Sequence, residues 1–264
     1  MKIGFIGCGN MATAMIRGIL DSKKVAAEDV IASAKTEKTR NKIHKELGIQ
    51  AAEKNVDVVK YADLIFLAVK PIFYEEVIKE IRQEVRADQI IVTIAPGKNL
   101  AWLEEMFDKK VKLIRTMPNT PAMVKEGMLG LCKNEQVTDE QMQMVMELCE
   151  SFGKAEEVPE RLMDTVVGVS GSSPAYVFMF IEALADAAVA DGMPRAQAYK
   201  FAAQSVLGSA KMVLETGMHP AELKDMVCSP GGTTIEAVRV LEEKGMRSAV
   251  FEASKACVKK AKEM

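Results

Sequence analysis

Histidine, paired cysteine and net charge are all scarce in this chain. Of 264 residues only His44 and His219 are histidine, and the five cysteines, at 8, 132, 149, 228 and 257, form neither a Cys-x-x-Cys pair nor a zinc-ligand spacing. An odd set of widely spaced cysteines points to free thiols in a reducing compartment, and no metal site is expected. The formal net charge of −2 excludes a general polyanion binder, so no nucleic-acid partner is expected. No basic leader precedes the first apolar run, and no apolar run reaches the ~20 residues of a membrane span. A soluble, cytoplasmic protein with no membrane partner follows. Repeats and low-complexity tracts are absent as well.

What is present divides the chain into two textures. Up to about residue 135, consecutive apolar runs rich in β-branched residues recur: KIGFIG (2–7), VIAS (30–33), LIFLAV (64–69), IIVTIA (90–95) and VKLIRTM (111–117). Such runs suit parallel strands covered on both faces. Amphipathic stretches such as 11–20 and 74–85 lie between them, so the fold class expected is α/β, a Rossmann-like doubly wound parallel sheet. After about 160 helical patterns take over, at 174–191, 195–215, 234–243 and 247–262. Pro174 suits a first helical turn with Ser172 or Ser173 as cap, and Gly192 and Gly217 suit helix ends. The expected domains are 1–160, binding a dinucleotide, and 161–264, all-α, binding substrate and forming a dimer. The stretch Val177–Ala190 is apolar almost all round, which suits a subunit interface or else a central core helix. Glu182 and Asp186, four apart on it, suit a functional acid pair or, more ordinarily, contact with solvent or a partner lysine.

Gly7-Cys8-Gly9-Asn10-Met11-Ala12 follows a strand and opens a helix, the context that gives the G-x-G-x-x-G/A pattern its meaning. Gly7 permits the tight turn, Gly9 lets backbone approach a pyrophosphate, and Ala12 lets helix pack on strand. The free N–H groups of the helix start then face the phosphates. At the end of the second run a site for NAD would carry Asp or Glu to hold the ribose 2′-OH; here stand Ala32-Ser33-Ala34-Lys35, then Lys38 and Arg40. With a hydroxyl and cations in place of a carboxylate, NADP is favoured, NADPH over NADH, and Ser33→Asp is expected to shift preference toward NAD. Ala68-Val69-Lys70-Pro71 and Thr116-Met117-Pro118-Asn119 end two further strands, where ligands of open α/β sheets lie, and Asn119 offers an amide to a carboxamide or ribose.

Two small-residue turns mark the second half. Cys228-Ser229-Pro230-Gly231-Gly232-Thr233-Thr234 precedes a helix at Ile235 and forms either an anion nest suited to a carboxylate or a bare helix cap. Gly168–Tyr176, at the domain junction, suits close backbone approach or a helix entry. Trp102 and the methionines 142, 144 and 146 suit packing, His219 a turn, and Lys259–Lys262 a solvated helix end.

Together GFIGCGNMA, LAVKP (67–71), RTMPNTPA (115–122), GVSGSSPAYVF (168–178) and LKDMVCSPGGTTIEAV (223–238) resemble pyrroline-5-carboxylate reductases along essentially the whole chain. The resemblance implies reduction of 1-pyrroline-5-carboxylate to L-proline, the last step of proline biosynthesis, by hydride from NAD(P)H. It implies cofactor contacts at Ile6 and Gly7 to Ala12, at Ser33, Lys35 and Asn55, at Ala68 to Pro71 and at Met117, Pro118 and Asn119. It implies that Ser229, Pro230, Gly231, Gly232, Thr233 and Thr234 hold the substrate carboxylate, with Thr234 near the ring nitrogen as the catalytic candidate. It implies a homodimer through interleaved C-terminal helices, with assembly into a ring such as a decamer. One departure is Ser173, where the family usually has Gly.

The chemistry fits. A protonated cyclic imine is already a hydride acceptor and yields a neutral amine, so geometry matters more than acid strength. An NADP-dependent hydroxyacid dehydrogenase, the main alternative beside another imine reductase, needs a strong general acid for its alkoxide. In that relative a lysine follows the junction glycines, and the corresponding place here is Val177. A dinucleotide-sensing binding protein, the non-enzyme alternative, would keep the glycine turn but need no second polar nest.

Overall fold

The structure is a computed structural model and describes residues 1–263. It divides into two compact units, residues 1–172 joined by the chain end from Cys257, and Ser173–Ala256.

In the first unit β1 (Ile3–Ile6), α1 (Asn10–Asp21), β2 (Val30–Ser33), α2 (Glu37–Leu47), β3 (Gln50–Ala52), α3 (Asn55–Tyr61), β4 (Leu64–Leu67), α4 (Tyr74–Ile81), β5 (Ile90–Thr93), α5 (Leu100–Phe107) and β6 (Lys112–Met117) alternate as expected. The sheet runs β3-β2-β1-β4-β5-β6 in parallel. That order reverses between β1 and β4, which opens the crevice used by dinucleotide-binding sheets. Phe5, Phe66, Val92 and Ile114 belong to one apolar layer, and Ile65, Leu67, Ile91 and Leu113 to the other. Burial on both faces explains why those strands read as unbroken apolar runs.

Two strands extend the sheet beyond the last one read from sequence. β7 (Gly127–Lys133) pairs antiparallel with β6, and β8 (Gly153–Glu157) follows α6 (Asp139–Cys149) to pair parallel with β7. The close pairing needs glycine: a Cβ at Gly153 would sit 2.2 Å from the Gly127 carbonyl oxygen. Met142 is buried in α6, with Met144 and Met146 packed beside it.

The units divide between Ser172 and Ser173, later in the chain than the expected border at 160/161. The reason is a polar clamp. Arg115 on β6 is 5% exposed and pairs with Glu160 at 3.4 Å and Asp164 at 3.3 Å. Glu160 also accepts the Leu100 N–H at 2.7 Å. The segment after residue 160 is thereby tied to the sheet. Neither Ser172 nor Ser173 caps a helix there, contrary to expectation: α7 (Met163–Val166) runs through a π-turn, Val167–Gly171, into α8 (Ser173–Ala190). The Ser172 hydroxyl accepts instead from the Cys257 thiol at 3.1 Å.

The second unit holds α8, α9 (Arg195–Thr216), α10 (Pro220–Val227), α11 (Thr233–Glu243) and most of α12 (Met246–Lys262). Gly192 (φ +96°) and Gly217 (φ +65°) end helices in left-handed geometry. His219, expected in a turn, caps α10, its Nδ1 accepting the Ala221 N–H. Within the Lys-rich end of α12 Ala261 is buried. Asp186 pairs with Arg195 of its own chain, not with a lysine.

One expectation fails on composition. Among the described residues the helical stretch Glu160–Ala190 holds an 18-residue window long and apolar enough to cross a membrane, with a mean hydropathy of 1.4, and only 6% of that window is buried. Alanines interspersed with Val, Phe, Met, Ile and Leu, and the carboxylates Glu182 and Asp186, break up the run of large apolar residues.

Candidate active site

The glycine turn joins β1 to α1. Gly7 has φ +90°, and a Cβ there would meet Val69 Cγ1 at 2.8 Å and the Ala68 carbonyl oxygen at 3.0 Å. Only glycine fits. Gly9 is different: it caps α1 in extended geometry, φ −83°, and a Cβ would meet nothing within 4 Å. The space above it is open, no side chain caps the helix, and its first turn carries no carboxylate. That is an electropositive helix start with room for an anionic group. Ile6 and Ala12 are buried beneath it, Cys8 and Met11 half-buried, Asn10 exposed. Burial pushes the Cys8 thiol up, and its Sγ lies 3.8 Å from Thr13 Oγ1.

A cleft of about 340 Å³ beside this turn gathers Gly7, Gly9, Ser33, Lys35, Asn55 and Lys70 with their neighbours Cys8, Ala68 and Val69. From sequence alone the Ser33 hydroxyl is expected to be free for a 2′-phosphate. In the structure Ser33 is 1% exposed and its hydroxyl is used twice. It accepts the Gly7 N–H at 3.3 Å and donates to Asn55 Oδ1 at 2.7 Å. The cations behave unequally. Lys35 is exposed at the rim, 5.1 Å from the Phe73 ring centroid, while Arg40 holds the carbonyls of Ala34 and Lys35. A carboxylate does enter the cleft, again against expectation: Glu76 and Glu80 reach it from α4, and Asn55 Nδ2 donates to Glu80 at 2.7 Å. Thr36, which caps α2, is another lining residue that the sequence did not suggest.

The end of β4 is anchored by Tyr74, a residue missed in sequence because it reads as one apolar position of a helix. Its buried hydroxyl donates to the Leu67 carbonyl at 2.5 Å and accepts the Ile94 N–H at 3.2 Å. Burial drives its pKa well above the usual phenol range. The β4 and β5 ends are thus held together below Ala68–Pro71. Lys70 is exposed and Pro71 half-buried.

Met117, Pro118 and Asn119 do not line this cleft. Asn119 was expected to offer its amide to a ligand. It is 7% exposed, and the amide serves the protein: Nδ2 donates to the Ser170 carbonyl at 3.0 Å, and Oδ1 accepts the Met128 N–H at 2.9 Å. Met117 packs close to Gly171, whose added Cβ would lie 2.9 Å from Met117 Cε.

In the second unit Ser229–Gly232 form the turn before α11, which begins at Thr233, before the expected start at Ile235. The Gly232 N–H bonds the Ser229 carbonyl at 3.0 Å, and Gly231 has φ +66°. A Cβ at Gly232 would meet Ser229 Oγ at 2.6 Å. No side chain caps α11, so its first N–H groups are left for a ligand. Ser229, Pro230, Gly231 and Thr233 are exposed, and Gly232 and Thr234 half-buried. Chemically this is a small anion seat with hydroxyls at Ser229, Thr233 and Thr234.

Known proteins match both parts. A family model described as pyrroline-5-carboxylate reductase dimerisation matches residues 160–264, and one described as NADP oxidoreductase coenzyme F420-dependent matches 2–97. Pyrroline-5-carboxylate reductase of Escherichia coli is 53% identical over all of this chain and 98% of its own length. That of Methanosarcina acetivorans is 41% identical over all of this chain and 97% of its own. Among solved structures, Plasmodium falciparum pyrroline carboxylate reductase with NADP bound superposes with a TM-score of 0.91 at 31% identity, covering 100% of this chain and 97% of that one. The Streptococcus pyogenes enzyme gives 0.90 at 35% identity, covering 100% and 99%.

Proposed function

The chain belongs to the pyrroline-5-carboxylate reductase family, and from that premise we propose how its own residues carry the reaction. The reaction is reduction of 1-pyrroline-5-carboxylate to L-proline in proline biosynthesis, with NADP(H) as cofactor. The observation that carries our placement of the cofactor is the open, uncapped start of α1 above Gly9. Gly7 to Ala12, over buried Ile6, take the pyrophosphate. Ser33, Lys35 and Asn55 frame the adenosine end, and Ala68 to Pro71 the far wall. When bound, the cofactor supplies the hydride.

Met117 to Asn119 act in this proposal through backbone and shape, because the Asn119 amide is already engaged. In the second unit the free N–H groups of α11 and the hydroxyls of Ser229 and Thr233 receive the substrate carboxylate, and Thr234 holds the ring nitrogen. A protonated imine needs no acid to accept hydride, and Val177 stands where a hydroxyacid dehydrogenase carries its lysine. Residues 1–160 then serve as the dinucleotide-binding part and 161–264 as the substrate-binding and dimerisation part, an assignment supported by the spans of the two family models.

The enzyme is a homo-oligomer acting on a small molecule. We assign its contact between copies to the C-terminal helices, with a ring such as a decamer as the larger assembly. The five free cysteines support a cytoplasmic location.

The test is oxidation of NADPH followed with pyrroline-5-carboxylate, and in parallel with 2-hydroxyacid/2-ketoacid pairs. Turnover on the imine alone is expected. Turnover confined to the keto acids would establish the dehydrogenase alternative, and dinucleotide binding with no turnover on either would establish a sensor.

A further inference from the structure

A Rossmann site that accepts NAD ordinarily places a carboxylate at the end of its second strand, on the ribose 2′-OH. Ser33 occupies that place, and its one hydroxyl proton is already donated to Asn55 Oδ1. Its remaining bond is accepted from the Gly7 N–H. Ser33 therefore has no proton to give a 2′-phosphate, and it is too buried to grip a 2′-hydroxyl.

The next bond leads to a carboxylate. Asn55 Nδ2 donates to Glu80 Oε2 at 2.7 Å. This also fixes the amide: a flipped Asn55 would set its oxygen against the Glu80 carboxylate and its NH₂ against the Ser33 hydroxyl proton. Glu76 and Glu80 stand one helical turn apart on α4, and both line the cleft. Glu76 is answered by Lys35, Nζ to Oε1 4.0 Å. Glu80 has no ion-pair partner among the described residues, and its only hydrogen bond is the one from Asn55.

We propose that Glu80 is the ribose-facing carboxylate of this cleft, supplied from α4 instead of from the end of β2, and that it determines cofactor preference by favouring the 2′-hydroxyl of NADH and opposing the 2′-phosphate of NADPH. Lys35, which also lines the cleft, does the reverse. The two cofactors are then read by opposite charges: a hydroxyl donates to Glu80, and a phosphate accepts from Lys35. The inference rests on placing the dinucleotide's adenosine end in this cleft.

The experiment measures kcat/KM for NADPH and for NADH with saturating imine. The wild type is compared with Glu80→Gln, Lys35→Ala and, as a control of equal charge change, Glu75→Gln. Glu75 lies on the same helix and pairs with Lys79, away from the cleft. In Glu80→Gln the new amide oxygen still accepts from Asn55, so the relay to Ser33 survives and only the charge goes. Removing one charge near a 2′-phosphate predicts an NADPH/NADH ratio raised on the order of fivefold in Glu80→Gln. Lys35→Ala lowers the ratio by a similar factor, and Glu75→Gln leaves it unchanged. An unchanged ratio in Glu80→Gln overturns the inference, and so does an equal shift in Glu75→Gln. Gly9→Ala separates this from the placement beneath it. If Gly9→Ala impairs both cofactors while Glu80→Gln leaves the ratio alone, only Glu80 is misassigned. If Gly9→Ala impairs neither, the cleft is not the dinucleotide site and the inference falls with it.

Discussion

Gly7 and Gly9 stand two residues apart in one turn, and the structure gives them opposite reasons to be glycine. Alanine at Gly7 must adopt φ +90° and set its Cβ 2.8 Å from Val69 Cγ1. The left-handed backbone costs about 1–2 kcal/mol and overpacking about 1–3 more, so Gly7→Ala should lose roughly 2–5 kcal/mol. At ~2–4 °C per kcal/mol for a protein of this size, the melting temperature falls by about 4–20 °C. Alanine at Gly9 adopts an ordinary extended φ of −83° and meets no atom within 4 Å. Stability should change by less than about 1 kcal/mol, toward greater stability, because the unfolded chain loses freedom. The same methyl group enters the space assigned to the pyrophosphate, so KM for NADPH should rise about 10- to 100-fold, the equivalent of about 1–3 kcal/mol of overpacking. Thermal unfolding without ligand and steady-state kinetics read the two effects separately. A Gly9→Ala protein that binds NADPH as well as the parent would refute the cradle; one that melts like Gly7→Ala would refute the reading of the open space.

Three further outcomes are expected. Thr234→Ala should lower kcat/KM for the imine about tenfold, the value of one hydrogen bond at the reacting ring, with KM for NADPH unchanged; equal losses in both would remove Thr234 from the substrate. Ser33→Asp, expected from sequence to favour NAD, should instead weaken both cofactors, because a charge at this buried position faces Asn55 Oδ1 and leaves the Glu80 carboxylate a hydrogen bond away; improved NADH kinetics would contradict that geometry. Burial pushes the Cys149 thiol up to about 12 from an ordinary value of 9.0. Above pH 9 the unfolded chain has released a proton that the folded chain keeps, so stability falls from pH 9 toward 12. Cys149→Ala should lessen the fall of urea midpoints over that range, the rest coming from the buried Cys132 and Tyr74, and an unchanged slope would argue against the burial effect.

The legible parts of this protein are those whose signal is local. The strands β1, β2, β4, β5 and β6 are buried on both faces and β-branched, so their pattern survives without knowledge of neighbours. β3 is Gln-Ala-Ala with one buried residue, β7 carries two glycines and no β-branched residue, and β8 is Gly-Lys-Ala-Glu-Glu. Their strand character comes from the partner edge, through pairings such as Gly127 with Gly153. The site divides the same way. The glycine turn is contiguous, and its spacing states its geometry. Glu80 reads in sequence as a solvated helix residue; only the packing of α3 against α4 delivers it to Asn55, 25 positions earlier. Ser33 and Asn119 were recognised as polar residues at strand ends, but whether their hydrogen bonds were free or taken depended on Asn55, Met128 and Ser170.

The second unit poses its own energetic question. Its one buried apolar cluster among the described residues is Ala185, Ala198 and Ala202, with Ile181, Ala188, Val189 and Met193 packed partly against them, and Leu223 is buried apart from it. Meanwhile Val177, Phe178, Met179, Phe180 and Leu184 of α8 are 38–69% exposed. A small alanine seam gives little burial to offset the entropy of ordering more than eighty residues. About half of each of these five side chains is still exposed, so covering them contributes on the order of 5 kcal/mol, half of ~1.5–3 kcal/mol each, a large share of the stability of an ordinary domain. We propose that the apolar face of α8 lies against a second copy, in line with the dimerisation family model that covers it. Folding and association are then one equilibrium, and the melting temperature must rise with protein concentration. Phe178→Glu with Met179→Glu should abolish that dependence, yield a monomer in sedimentation and lose imine turnover, because the α8–α9 unit would no longer be stable. A double variant that stays fully folded as an active monomer would show that the exposed face of α8 is not what joins the copies.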